Sequence, residues 1–171
     1  SDVYKRQIPN VHLSVKGMKQ AEQLTDRLGA FPVAQMRISP MERCAETIDP
    51  WLKKYGNKSN SNFKPTVDLG VNEVDYGLWS GKKLSSLSRK SEWKTVQESP
   101  SRMYFPDGEG IAAMQARAMT TVHELAQLPK TKVGIIVSHG DVIKSIVASA
   151  LGMHLDEFQR IIICLLYTSP S

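Results

Sequence analysis

A chain of 171 residues, 41% apolar and 23% charged, suits one globular domain with a sizeable core. No apolar run approaches the ~18–20 residues of a membrane span, and Ser1–Gln7 lacks the apolar centre of a secretory signal, so a non-membrane, cytoplasmic protein is expected. The net charge of +5 comes from dispersed lysines, with no run of five basic residues and no interleaved aromatics; nucleic acid is therefore not an expected partner, whereas a small phosphorylated molecule is.

Ser14 is placed to cap a helix over Val15–Leu28, with Met18, Ala21, Leu24 and Leu28 on one face and Gly29 as its stop. Val33–Ile38 reads as a strand with Met36 and Ile38 on the same side. Ser39-Pro40-Met41-Glu42 reads as a helix start, with Ser39 as N-cap, Pro40 at the first helical position and Glu42 completing a capping box. That helix should turn Met41, Cys44, Ala45, Ile48 and Leu52 inward, and Pro50 should bend or end it. Cys44 and Cys164 fit neither a metal nor a disulfide framework and are expected to be reduced thiols.

Gly56–Pro65 reads as a solvated, mobile polar loop, and Thr66–Leu69 as a short extended piece. Lys83–Glu98 should hold one or two short helices closed by Pro100. Pro106–Gly110 should turn into a long helix reaching about Leu128, striped by Ile111, Met114, Ala118, Val122 and Leu125. Val133–Ser138 is a near-continuous apolar run, expected to be a strand covered on both faces, followed by a helix from about Val142 to Leu151. This alternation predicts an α/β domain with a mostly parallel sheet between helix layers.

Three constellations could carry chemistry. Ser138-His139-Gly140-Asp141 follows a strand and precedes a helix, where open α/β sheets bind ligands and helix amides favour a phosphate. The same residues equally allow an ordinary capping histidine. Arg43 lies in the first turn of a capped helix, where its planar fork could grip a phosphate; read alone, it is more readily an exposed arginine paired with Glu46 or Glu42, since such ion pairs are common. In Asn72–Gly81, Glu73 and Asp75 sit among Tyr76 and Trp79, so one carboxyl could be buried as a general acid requires, or the stretch could be a turn-rich loop with aromatic packing.

Together these stretches resemble the histidine phosphatase superfamily, the phosphoglycerate-mutase-like group, and in wording its small bacterial phosphomutase-type members. Leu13–Ala21 resembles the family's Leu-Thr-x-x-Gly-x-x-Gln-Ala helix opening, Ser39–Thr47 its Ser-x-x-x-Arg-x-x-x-Thr stretch, and Glu73–Gly81 its Glu-x-x-x-Gly-x-Trp-x-Gly stretch. Pro106–Glu109 matches its Pro-x-Gly-Glu turn and Ser138–Gly140 its Ser-His-Gly. The resemblance implies a three-layer αβα sandwich and phosphoryl transfer through a phosphohistidine, with no metal and no cofactor. Arg43, His139 and Gly140 would bind the phosphate, and Glu73 and His139 would be catalytic, Glu73 as the proton donor.

The family's nucleophile comes from an Arg-His-Gly at the end of the first, central strand, and no such tripeptide occurs here. The expected fold accordingly lacks that strand. The expected domain spans residues 8–163, with 1–7 and 164–171 read as foreign ends. The expected function is that of a fragment of a phosphomonoester phosphatase or phosphomutase, inactive as it stands; the alternative is a phospholigand-binding pseudoenzyme. His12, His123 and His154 are assigned no role. A missing strand would also strip cover from two helix layers, which predicts marginal or no folding.

Overall fold

The computed structural model describes residues 11–56 and 63–164. Residues 57–62 of the expected polar loop lie outside that range, as do residues 1–10 and 165–171.

Three strands, β1 (Val33–Ile38), β2 (Thr66–Val67) and β3 (Val133–Val137), form a parallel sheet in the order β2-β1-β3. Side chains alternate across it. Met36 and Ile38 join Cys44, Ile48 and Trp51 of helix α2 (Glu42–Trp51) in one core cluster, and Ile135 and Val137 of β3 pack against the same cluster. On the opposite face Arg37 reaches Glu124 of helix α5 (Ile111–Ala126) at 3.2 Å. Gly134 also lies there, where a Cβ would stand 3.2 Å from Leu125, so the missing side chain is what lets α5 approach the sheet. Helices thus cover both faces of an α/β sheet, as expected.

β3 departs from the expectation of a strand buried on both sides. Its first two residues are exposed and the rest half-buried, with Val133 38% accessible. The reason is position: among the described residues β3 pairs with β1 alone and forms the sheet edge.

Helix α1 (Val15–Leu28) begins where expected, the Ser14 hydroxyl accepting from the Gly17 amide, and ends at Gly29. Its buried stripe is Gly17, Ala21 and Thr25; of the expected face Ala21 is buried and Leu24 half-buried, while Met18 and Leu28 are exposed. Small residues four apart let α1 lie close to α2, and the Trp51 indole donates to the Gly29 carbonyl across that contact. The start of α2 also shifts. Met41, not Ser39, occupies its N-cap, because the Ser39 hydroxyl is drawn into the site described below. Arg43 and Trp51 turn inward while Ala45 is exposed. Pro50 sits within α2, and the chain continues through a π-helical turn, Leu52–Gly56.

Helices α3 (Leu84–Leu87), α4 (Ser91–Glu98), α5 and α6 (Gly140–Ala150) surround a second core. Phe105 meets Tyr76 and Trp79 edge-on at 5.0 and 5.3 Å, and Trp79 stacks on Trp93; such pairs add about 0.5–1.5 kcal/mol each beyond their buried area. Gly77 (φ 47°) lets the Tyr76–Trp79 turn nest against Pro106–Gly108; a Cβ there would fall 2.1 Å from the Pro106 carbonyl oxygen.

Candidate active site

The C-terminal ends of three parallel strands open on one rim, and each feeds a functional stretch. Ser39 follows β1. The chain after β2 passes through a short 3-10 turn, Leu69–Val71, to Asn72 and Glu73. Ser138 and His139 follow β3. Backbone and hydroxyl bonds tie the three together: the Ser39 amide donates to Val137, the Asp68 amide to Ile38, and the Ser138 hydroxyl to the Val71 carbonyl at 2.6 Å.

The residues expected at the site converge. His139, at the N-cap of α6, is 4% exposed, Arg43 in the first turn of α2 is 7% and Glu73 is 2%. Arg43 Nη2 lies 3.1 Å from His139 Nδ1, and Glu73 Oε2 is 4.0 Å from the same nitrogen. Arg43 is therefore not the exposed arginine that its local sequence favoured; Glu46 instead accepts from the Leu13 amide and bonds His12. Gly140 is buried as the first residue of α6, in the turn whose amides have no partner within the helix. Of the two nearby carboxylates, Glu73 is closed off and Asp75 is exposed.

A guanidinium can only donate, so His139 Nδ1 accepts from Arg43. In the neutral ring Nε2 then carries the proton and donates to Ser39 Oγ at 2.7 Å, and the Ser39 hydroxyl donates onward to Asn72 Oδ1 at 3.1 Å. Asn72 Oδ1 also accepts the Glu73 amide at 2.9 Å. One directed chain thus runs Arg43–His139–Ser39–Asn72 and fixes the imidazole plane. Cys44 Sγ lies 3.7 Å from Nε2, and burial pushes its thiol up to about 11 against the pull of Arg43.

Two further contacts hold the Glu73 stretch in place. The Tyr76 hydroxyl donates to Asp141 in the first turn of α6 at 2.8 Å. Arg117 of α5 grips the Glu109 carboxylate through Nε and Nη2 and donates to the carbonyls of Gly70, Asn72 and Glu73. Sequence reading included Asn72 and Asp141 in its stretches without giving them a role, missed Arg117, and took Ser39 for a helix cap. For Ser39 a signal existed: it follows β1 as His139 follows β3.

His12, His123 and His154 lie apart from this cluster. His12 bonds Glu46, and His154 caps the 3-10 helix Leu155–Arg160 by accepting from the Asp156 amide. No helix among the described residues is long and apolar enough to cross a membrane.

A family model described as "Histidine phosphatase superfamily (branch 1)" matches residues 4–169. The probable phosphoglycerate mutase GpmB of Erwinia tasmaniensis is 25% identical over 151 residues, covering 87% of this chain and 67% of that protein; for its counterpart from Enterobacter sp. strain 638 the figures are 24%, 82% and 64%. The chain therefore spans about two thirds of the length of the curated relatives it matches. Among solved structures, the alpha-ribazole phosphatase from Shigella flexneri superposes with a TM-score of 0.76 at 20% identity, over 96% of this chain and 79% of that one. The mycobacterial glucosyl-3-phosphoglycerate phosphatase does so with 0.75 at 19% identity, over 95% and 77%.

Proposed function

Because the chain belongs to the histidine phosphatase superfamily, branch 1, we propose that its site holds the phosphoryl group of a small phosphomonoester. Arg43 and His139 would bind the non-bridging oxygens, with the Gly140 amide adding a donor at the N-terminus of α6. Glu73 would hand a proton to the leaving oxygen as its bond to phosphorus breaks. In the family's reaction the phosphoryl group passes to a histidine nitrogen and then to water or another hydroxyl. This site would contribute charge neutralisation and positioning. The observation that carries the reading is the burial of Arg43, His139 and Glu73 around one imidazole nitrogen, at 3.1 and 4.0 Å.

The sequence has four histidines and no Arg-His-Gly, and only His139 lies at the site among the described residues. His139 Nδ1 accepts from Arg43, which leaves Nε2–H as the ring's one donor; in this reading that N–H turns from Ser39 to a phosphate oxygen, and His139 is a phosphate ligand and not the nucleophile. The 171-residue chain is accordingly proposed to bind phosphate without turnover, in the cytoplasm, where its two thiols would stay reduced.

Titration of inorganic phosphate into the chain should show binding that Arg43→Ala abolishes. Supplying an upstream strand that ends in Arg-His-Gly should add hydrolysis of 4-nitrophenyl phosphate and an acid-labile phosphohistidine. A chain that binds no phosphate, and hydrolyses nothing when so completed, would sink the assignment.

A further inference from the structure

Beside the phosphate-binding residues lies an open cleft of about 530 Å³, lined in part by Asn72 and Glu73. A phosphomonoester whose phosphoryl group sits against Arg43 and His139, with its leaving oxygen at Glu73, has this cleft next to it for its organic part.

The cleft has a distinct chemistry. Its titratable lining among the described residues is Glu73, Asp75, Glu109 and Arg117; with Glu73 holding the proton it would donate and Glu109 paired with Arg117, Asp75 carries the unbalanced charge. Arg117 has nothing left to offer a ligand. Nε and Nη2 donate to the two Glu109 oxygens at 2.7 and 2.8 Å, Nη2 also to the Glu73 carbonyl, and Nη1 to the carbonyls of Gly70 and Asn72 at 2.8 Å each. A guanidinium has five N–H donors, and all five are taken. Asp75, by contrast, is exposed, its Oδ1 accepting the Gly77 amide. The remaining walls include Met41, Leu69 and Tyr104, the last two 72% and 68% exposed. They offer apolar and aromatic surface.

We propose that this cleft selects phosphomonoesters whose organic part has an apolar or aromatic face and no carboxylate. This rests on the reading that Arg43 and His139 hold the phosphoryl group. A ligand carboxylate would enter a site with Asp75 facing it and, among the described residues of its lining, no uncommitted cation to receive it, and close like charges repel. Arg117 then serves as a positioning residue for Glu73 and not as a substrate clamp.

The test uses two esters that differ by a single carboxylate. The 171-residue chain is titrated calorimetrically with inorganic phosphate, phenyl phosphate and 4-carboxyphenyl phosphate. Phenyl phosphate should bind at least tenfold more tightly than its carboxylated partner, a difference of about 1.4 kcal/mol. Asp75→Asn, which keeps the oxygen that accepts from Gly77, should narrow that ratio without weakening inorganic phosphate. Equal or inverted affinities overturn the proposal, and so does a chain that binds phosphate but neither ester. A tenfold preference untouched by Asp75→Asn overturns the charge argument. If none of the three ligands binds, the phosphate-site reading fails, and this inference fails with it.

Discussion

His139 shows how much at the residue scale depends on partners distant in sequence. Its ring is held by Arg43 on one nitrogen and Ser39 on the other. Cys44 lies in the same enclosure without sharing its chemistry. Burial, the largest influence on it, raises its pKa to about 11, so below that pH the folded protein keeps it as an inert thiol. Cys164 is exposed. At pH 8 a disulfide reagent such as DTNB should therefore modify Cys164 rapidly and reach Cys44 only on unfolding, giving one fast thiol in the native protein and two in denaturant. Two fast thiols in the native state would contradict the closed site. Arg43 and His139 stand out in the sequence through the turns that carry them, whereas Asn72 does not, because an amide in a loop has no pattern until a partner faces it.

Between elements, the join of α1 to α2 depends on pH. The residues just before α1 are fastened to α2 by the bond between His12 and Glu46 and by the Leu13 amide, which donates to the same carboxylate. The hydrogen bond to Glu46, followed by the carboxylate's charge, raises the pKa of His12 above the usual 6.5. A group raised in the folded state stabilises fully below its unfolded value, and that contribution fades as pH climbs through the raised one. His12→Ala should thus lower Tm more at pH 5.5 than at pH 8.5, as thermal melts of both chains would show. A loss that is the same at both pH values would mean that the imidazolium contributes nothing to the join. Element positions were largely legible beforehand: α1, β1, β2, β3 and α5 fall within a few residues of their expected spans. The inward face of α1 was legible only at Ala21, because apolar periodicity also pointed to Met18 and Leu28 while the close approach of α2 selects the small residues Gly17 and Ala21.

For the whole molecule, the decisive feature is the edge of β3 that no strand among the described residues pairs with. The Val133 amide donates to Pro32 and the Val137 carbonyl accepts from Ser39, so both residues face β1. Strand alternation then points the Gly134 and Ile136 amides away from it. In hydrogen exchange on the 171-residue chain, those two amides should exchange at least tenfold faster than the amides of Ile135 and Val137. Equal protection would mean that a further strand pairs with that edge, and would overturn the expectation that the central strand is missing. The edge also bears on stability, since a strand half open to water contributes less burial than one enclosed on both sides.

The amino-acid sequence by itself determined the α/β alternation, the family resemblance, and Arg43, Glu73, His139 and Gly140 as the residues to watch. Caps, periodicities and short motifs are local, and a linear reading captures them. The tertiary structure alone decided that Arg43 turns in to His139 across 96 positions, that the Ser39 hydroxyl bonds the imidazole as well as the Met41 amide, and that Arg117 is consumed in holding the Glu73 stretch. Each of those depends on hydrogen bonds between side chains and partners far apart in the chain, and their geometry exists only once the sheet has brought the strand ends to one rim.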